Sequence, residues 1–100
     1  MFLNVAGGLR LKDTATDLAV LAALISSYED QPIPLKMAFT GEVSLTGEIR
    51  SVNRIEIRIN EVHKMGFEKI ICSKNVSSDW NGVHKIGNIG ELVYLLNQFR

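Results

Sequence analysis

Three arginines, Arg50, Arg54 and Arg58, stand close together in the chain. Each keeps its charge at any physiological pH. Arg54 and Arg58 are four apart, so on a helix they share a face, and Arg50 ends the strand-like run before them. Glu48, Glu56 and Glu61 lie in the same stretch. Surface pairs with these carboxylates would contribute only about 0–1 kcal/mol each. Eleven basic and eleven acidic residues cancel over the whole chain. A neutral chain leaves no general nucleic-acid footprint, so any such role has to rest on a local patch. Binding by one copy would then be weak, and several copies acting together would strengthen it.

Other reactive side chains are few. Cys72 is the only cysteine, which excludes an intrachain disulfide. It follows Ile70 and Ile71 in a strand-like run and reads as a buried, inert thiol. His63 and His84 have no partners at metal-ligand spacing and read as surface or packing residues. No metal site is expected.

These residues need a scaffold. One hundred residues make one domain with a single core. No apolar run approaches the ~18 residues of a membrane span, and the longest, Leu18 to Ile25, suits a buried helix. Met1 to Val5 lacks the basic start of a secretory signal. The expectation is a cytoplasmic protein.

Phe2 to Val5 is rich in strand formers, Gly7-Gly8 interrupts it, and Leu9 to Lys12 alternates like a half-exposed strand. Asp13-Thr14 offers cap side chains for a first helix over Ala15 to Ser27. Leu18, Leu21, Ala22 and Ile25 have helical spacing there. Val20 and Leu24 widen the apolar face almost all round, which predicts burial on more than one side. Asp17 falls in the first turn, where the helix dipole favours a carboxylate.

Pro32 and Pro34 precede a strand over Leu35 to Phe39. Thr40 to Val52 reads as a tight hairpin, with Gly41 and Gly47 at positions needing unusual backbone angles. Asn53 is the predicted cap of a second helix running to about Met65, with Ile55, Ile59, Val62 and Met65 inward and Gly66 as its C-terminal stop. Lys69 to Cys72 is a buried strand, and Ser73 to Gly82 a polar loop whose Trp80 folds back on the body. Val83 to Ile86 is a short strand. Ile89 to Phe99 forms a last helix capped by Asn88, with Leu92, Leu95, Leu96 and Phe99 on one face. The order predicts an α/β sandwich, a mixed sheet with helices packed on it.

Two segments carry a family resemblance. Met1-Phe2-Leu3-Asn4-Val5-Ala6-Gly7-Gly8-Leu9 resembles the F-V-N-V-x-G-G opening of the C-terminal Lon-protease-like domain of bacterial RadA/Sms DNA repair ATPases. Gly41-Glu42-Val43-Ser44-Leu45-Thr46-Gly47-Glu48-Ile49-Arg50 resembles its G-E-V-G-L-x-G-E-I-R hairpin, which Lon proteases share. Asp17-Leu18-Ala19 matches the D-L-A helix start, and Glu61 to Ile71 the E-A-x-K-x-G-F-x-x-x-I run. Magnesium-chelatase-like proteins of the ComM type carry a similar hairpin but not this opening. The resemblance implies a Lon protease-domain-like fold over residues 1–100. It also implies that this chain is the last piece of a longer protein. The sequence has no C-x-x-C pair and no Walker A motif, so no cofactor is expected in this domain. Zinc and ATP would belong to the other parts of such proteins.

Lon proteases pair a serine with a lysine that activates it. Aligned on the first helix, Ala15 takes the serine position of the G-P-S-A-G segment and Asp17 that of its second glycine. The spacing from Gly47 puts Glu56 at the lysine position. A methyl group cannot attack a carbonyl, and a carboxylate reverses the charge. A displaced dyad from Thr14, Thr16 and Lys12 is the weaker reading, since hydroxyls at a helix start are usually caps. No catalytic residue is therefore expected. By resemblance to hexameric DNA-threading ATPases, the domain would support ring assembly and touch duplex DNA, with Arg50, Arg54 and Arg58 on phosphates. The alternatives are a Lon-type serine peptidase and a purely structural oligomerisation domain. Leu9, Leu11 and Trp80 are possible interface residues, each more readily packed within its own domain.

Overall fold

The structure is a computed structural model and describes residues 16–99. Its elements run in the order helix α1 (Asp17–Glu29), strands β1 (Met37–Phe39), β2 (Glu42–Val43) and β3 (Ile49–Arg50), helix α2 (Ile55–Lys64), strands β4 (Lys69–Ser73) and β5 (Val83–Ile86), and helix α3 (Ile89–Gln98). The α/β class predicted from the sequence is the class observed. The strands predicted over Phe2 to Val5 and Leu9 to Lys12, and the Asp13-Thr14 cap, lie outside the described residues.

Strands β1, β4 and β5 form a parallel sheet in the order β1-β4-β5. Parallel strands are normally covered on both faces, and β4 shows why. Side chains alternate across a strand, so Ile71 joins Leu18, Ala22, Leu92 and Leu96 on the face of α1 and α3. Ile70 and Cys72 join Ile55 and Ile59 of α2 on the other. Two apolar clusters therefore sandwich one sheet. The unbroken Ile70-Ile71-Cys72 run is the sequence trace of that double cover.

The hairpin is a separate two-stranded antiparallel sheet, β2 with β3, with Val43 opposite Ile49. It is stitched to the end of β5 by Ile49 N–H donating to Gly87 O (2.9 Å) and a bridge between Glu48 and Asn88. The mixed sheet expected from sequence is thus two sheets among the described residues. Gly47 has φ +88°, the left-handed geometry predicted for it. Gly41 is required for closeness instead: a Cβ there would stand 3.1 Å from Ile49 Cγ2 and 3.3 Å from Leu18 Cδ2.

Three local expectations need correction. The strand predicted from Leu35 begins at Met37, because Leu35 and Lys36 form a turn with Lys36 at φ 60°. Helix α1 is not buried on several sides: Leu18 and Ala22 are buried, but Leu24 is 54% and Tyr28 92% exposed. Met65, predicted to face inward, is exposed just past the end of α2.

Helix α3 follows its predicted cap. Asn88 Oδ1 accepts from the Glu91 N–H at 2.9 Å. Glu91 in turn accepts from the Gly87 N–H and lies 3.4 Å from Lys74 Nζ. The Gly87 hydrogen bond first, and Lys74 second, hold the Glu91 carboxyl below the usual carboxylate range. A carboxyl held lower in the folded than in the unfolded state stabilises the fold above its unfolded value, ~4.3. That contribution disappears as pH falls through the folded value. Glu91→Gln should therefore flatten the acid side of a Tm-against-pH curve below about pH 4.5. An unchanged acid limb would refute the assignment.

Candidate functional site

The arginines gather where β3 hands over to α2. Arg50 ends β3 and sits opposite Glu42 across the hairpin. Its Nη2 lies 3.6 Å from Glu48 Oε1, with both side chains more than half exposed. A pair this open to water adds little stability. Glu48, which the sequence offered as a surface partner for Arg54 or Arg58, pairs with Arg50 instead.

Arg54 caps α2, in place of the predicted Asn53. It adopts φ 59° and ψ 38°, left-handed values that cost a side-chain-bearing residue about 1–2 kcal/mol. The helical face expected for Arg54 and Arg58 together is therefore not formed, since Arg54 stands before the first helical residue. The two stay linked: Arg58 N–H donates to Arg54 O (3.1 Å). Arg58 Nε donates to Asn53 O at 3.0 Å, folding the guanidinium back along the connection. No side chain caps α2. Its first turn thus directs N–H groups and the positive end of the helix dipole toward the same connection. Glu56 lies in that turn too and opposes an anion there.

Beside this surface is a cleft of about 260 Å³. Its walls are Thr16 and Ala19 at the start of α1, Phe39 and Thr40 at the end of β1, Arg58, Glu61, Val62 and Met65 from the α2 side, and Ile70 from β4. The cleft lies where α1 and α2 cover opposite faces of the sheet beside β1, an end strand among the described residues. The α1 end is pinned to the hairpin: Leu18 N–H donates to Gly41 O (3.1 Å), and Asp17 Oδ2 accepts from Val43 N–H (3.2 Å). Asp17 therefore ties the helix to the hairpin as well as facing the helix dipole. Thr40 is 7% exposed, and its hydroxyl has no hydrogen-bond partner among the described residues. Nothing in the sequence singles out Thr40. It is marked out only by its place in the cleft between α1 and α2.

Glu56, aligned with the lysine of the Lon dyad, is exposed and is not among the cleft walls. Ala15, Thr14, Lys12, Leu9 and Leu11 lie outside the described residues. Thr16 is the N-terminal cap residue of α1, without a side-chain cap hydrogen bond.

The remaining reactive side chains are packed. Cys72 is fully buried, and burial pushes its thiol up to about 11, against a smaller opposing effect of Lys85. The inert thiol read from the sequence is what the structure holds. His63 stacks on Trp80, with ring centroids 4.2 Å apart and planes 9° from parallel. Trp80 thus folds back on the body, packed against the α2-side cluster. His84 meets the edge of Phe99 at 5.1 Å, and burial, then the nearby Lys69 charge, lowers its pKa.

Comparison with known proteins adds a family. The model of a family described as subunit ChlI of Mg-chelatase matches residues 1–76, which include both the opening and the hairpin. The DNA repair protein RadA of Rickettsia felis is 44% identical over 92 residues, 92% of this chain and 21% of that protein. RadA of Rickettsia bellii is 43% identical over 96 residues, 96% of this chain and 21% of its own length. RadA of Streptococcus pneumoniae is 55% identical over 74 residues, 74% of this chain and 18% of its own. The chain spans about a fifth of the length of these curated relatives.

Proposed function

From the premise that the chain belongs to the family described as subunit ChlI of Mg-chelatase, with DNA repair proteins named RadA among its relatives, we propose that it is a non-catalytic domain of a RadA-type DNA repair and recombination ATPase. In this reading residues 1–100 form its C-terminal Lon-protease-like domain. The domain supports a ring, hexameric in the full-length protein, and contacts duplex DNA through Arg50, Arg54 and Arg58. ATP and zinc are bound by other parts of such a protein, and the whole works in the cytoplasm beside the DNA.

One observation supports the DNA contact: α2 begins without a side-chain cap at Arg54, Arg58 folds its Nε back to Asn53 O beside that start, and Arg50 ends the strand that precedes it. Helix N-termini suit phosphates because their N–H groups and dipole both favour negative charge. Arginine adds a planar fork that matches phosphate oxygens. Contacts of this kind position a protein on DNA without reading sequence. The absence of catalysis is supported by Glu56, a carboxylate where a Lon dyad needs an amine.

The test is duplex binding followed by fluorescence anisotropy at several salt concentrations. Three phosphate contacts predict a salt slope of about −2.7. The triple variant Arg50→Ala, Arg54→Ala, Arg58→Ala should bind at least about tenfold more weakly at low salt, with most of that slope lost. Equal binding by parent and variant at low salt would remove the arginine assignment and leave a purely structural role in assembly. Turnover of a peptide substrate by the chain, blocked by a serine- or lysine-directed reagent, would instead restore the peptidase reading.

A further inference from the structure

We infer that the Asn81–Gly82 bond is a site of spontaneous covalent modification, at which Asn81 loses its side-chain amide through a cyclic imide. Asn81 is the only asparagine of the chain followed by glycine. The next residue decides how readily the ring closes, because its backbone nitrogen is the attacking atom. Glycine has no Cβ to hinder that approach. Valine, arginine, glutamate, isoleucine or glutamine follows the other asparagines.

The fold leaves this pair freer than the others. Trp80 O accepts from Val83 N–H (3.2 Å), which closes a turn with Asn81 and Gly82 at its centre. Asn81 is exposed there. The sheet uses the Gly82 carbonyl, which accepts from Ile70 N–H (2.9 Å), while no backbone carbonyl among the described residues takes the Gly82 N–H. Asn88 is the contrast: its Oδ1 is held by Glu91 N–H, and the N–H of Ile89 is bonded to Gly47 O. Asn60 and Asn97 lie inside α2 and α3, whose backbone hydrogen bonds fix the following N–H.

Water is the one co-reactant. Gly82 N bonds to Asn81 Cγ, the Cγ–Nδ2 bond breaks, and the Gly82 amide proton leaves with Nδ2 as ammonia. Water then opens the imide. Opening at Cγ gives aspartate. Opening at the Asn81 main-chain carbonyl gives isoaspartate, whose main chain is one carbon longer. The surroundings have no room for that carbon. A Cβ on Gly82 would already stand 2.5 Å from Glu68 O and 2.6 Å from Trp80. Isoaspartate therefore draws Gly82 O away from Ile70 N–H or pushes Trp80 off His63, its stacking partner. The site records the age of the molecule as lost stability.

The chain is incubated at mildly alkaline pH and sampled over time, with peptide mass mapping and enzymatic methylation of isoaspartate as readouts. Asn81 should convert at least about tenfold faster than any other asparagine, a difference of one decade in rate. The rate should rise with pH, since the attacking nitrogen must give up its proton. Aged protein that carries isoaspartate should melt about 4–8 °C lower than fresh protein and emit further to the red. Asn81→Gln closes a larger ring far more slowly, and its side chain fits this exposed position. Its Tm and emission should hold through the same incubation. None of these readouts involves the arginines, so the test is independent of DNA contact. The proposal is overturned if Asn81 stays intact or another asparagine converts as fast. It is equally overturned if protein bearing isoaspartate keeps the fresh Tm and emission, or if Asn81→Gln ages like the parent.

Discussion

Leu18→Ala is expected to lower the stability of the fold by about 3–4 kcal/mol, a drop in Tm of roughly 12–32 °C. Leu18 is fully buried where α1, the hairpin and the sheet meet. Truncation removes its transfer free energy and leaves a void. The surroundings close poorly on that void because backbone bonds fix both sides. Leu18 N–H holds Gly41 O, and Asp17 holds Val43 N–H. A domain of this size has a total stability of about 5–15 kcal/mol. The variant would therefore spend a measurable time unfolded. The same site offers a check on mechanism. Gly41→Ala alone should destabilise by about 1 kcal/mol, since its methyl presses on Ile49 and Leu18. Combined with Leu18→Ala, the pressure from Leu18 is relieved and the methyl fills part of the void. The double variant should be more stable than the sum predicts by about 0.5–1 kcal/mol. Strict additivity in urea denaturation would mean that the two residues do not share this space.

Local chemistry was legible in the chain. Asn88 caps α3 through a bond three residues long, so its sequence pattern suffices. Leu92, Leu95, Leu96 and Phe99 repeat at helical spacing and pack on one cluster. The run Ile70-Ile71-Cys72 marks a buried strand, and the two clusters on either side of it show that both faces are covered. What was hidden depends on backbone states or distant partners. Lys36 and Arg54 take left-handed conformations that glycine and asparagine usually mark, so no residue type signalled the turn before β1 or the cap of α2. The hairpin reads as part of one mixed sheet until the bridge from Glu48 to Asn88 shows that it joins the end of β5 instead.

The candidate site divides along the same line. The arginines were visible because they are neighbours in sequence, although Arg54 takes up a cap position that the spacing did not imply. The cleft was not visible. Thr40 follows β1 and Ile70 lies in the parallel strand β4, while Arg58 and Ala19 come from helices on opposite faces of the sheet. Only the completed topology brings them together. Glu56 illustrates the converse: alignment placed it at a catalytic position, and its side chain stands in solvent outside the cleft.

Gly82→Ala should destabilise by about 2–3 kcal/mol or more and disturb the only tryptophan. A Cβ at Gly82 would stand 2.5 Å from Glu68 O and 2.6 Å from Cε2 and Cζ2 of Trp80. Neither neighbour yields cheaply. Glu68 N–H is bonded to Lys36 O (2.9 Å), and Gly82 O accepts from Ile70 N–H (2.9 Å) at the start of the β4–β5 ladder. Trp80 is held against His63 by a stack of the kind worth about 0.5–1.5 kcal/mol. The indole is the softer of the two, so it should swing outward, and its fluorescence should shift to the red. Moving Glu68 O would also loosen the turn into β1. Tm should therefore fall as the fluorescence maximum shifts. A Gly82→Ala protein with parental Tm and emission would mean that Trp80 is not packed against this glycine. Its role would then be sought in contact with a partner instead.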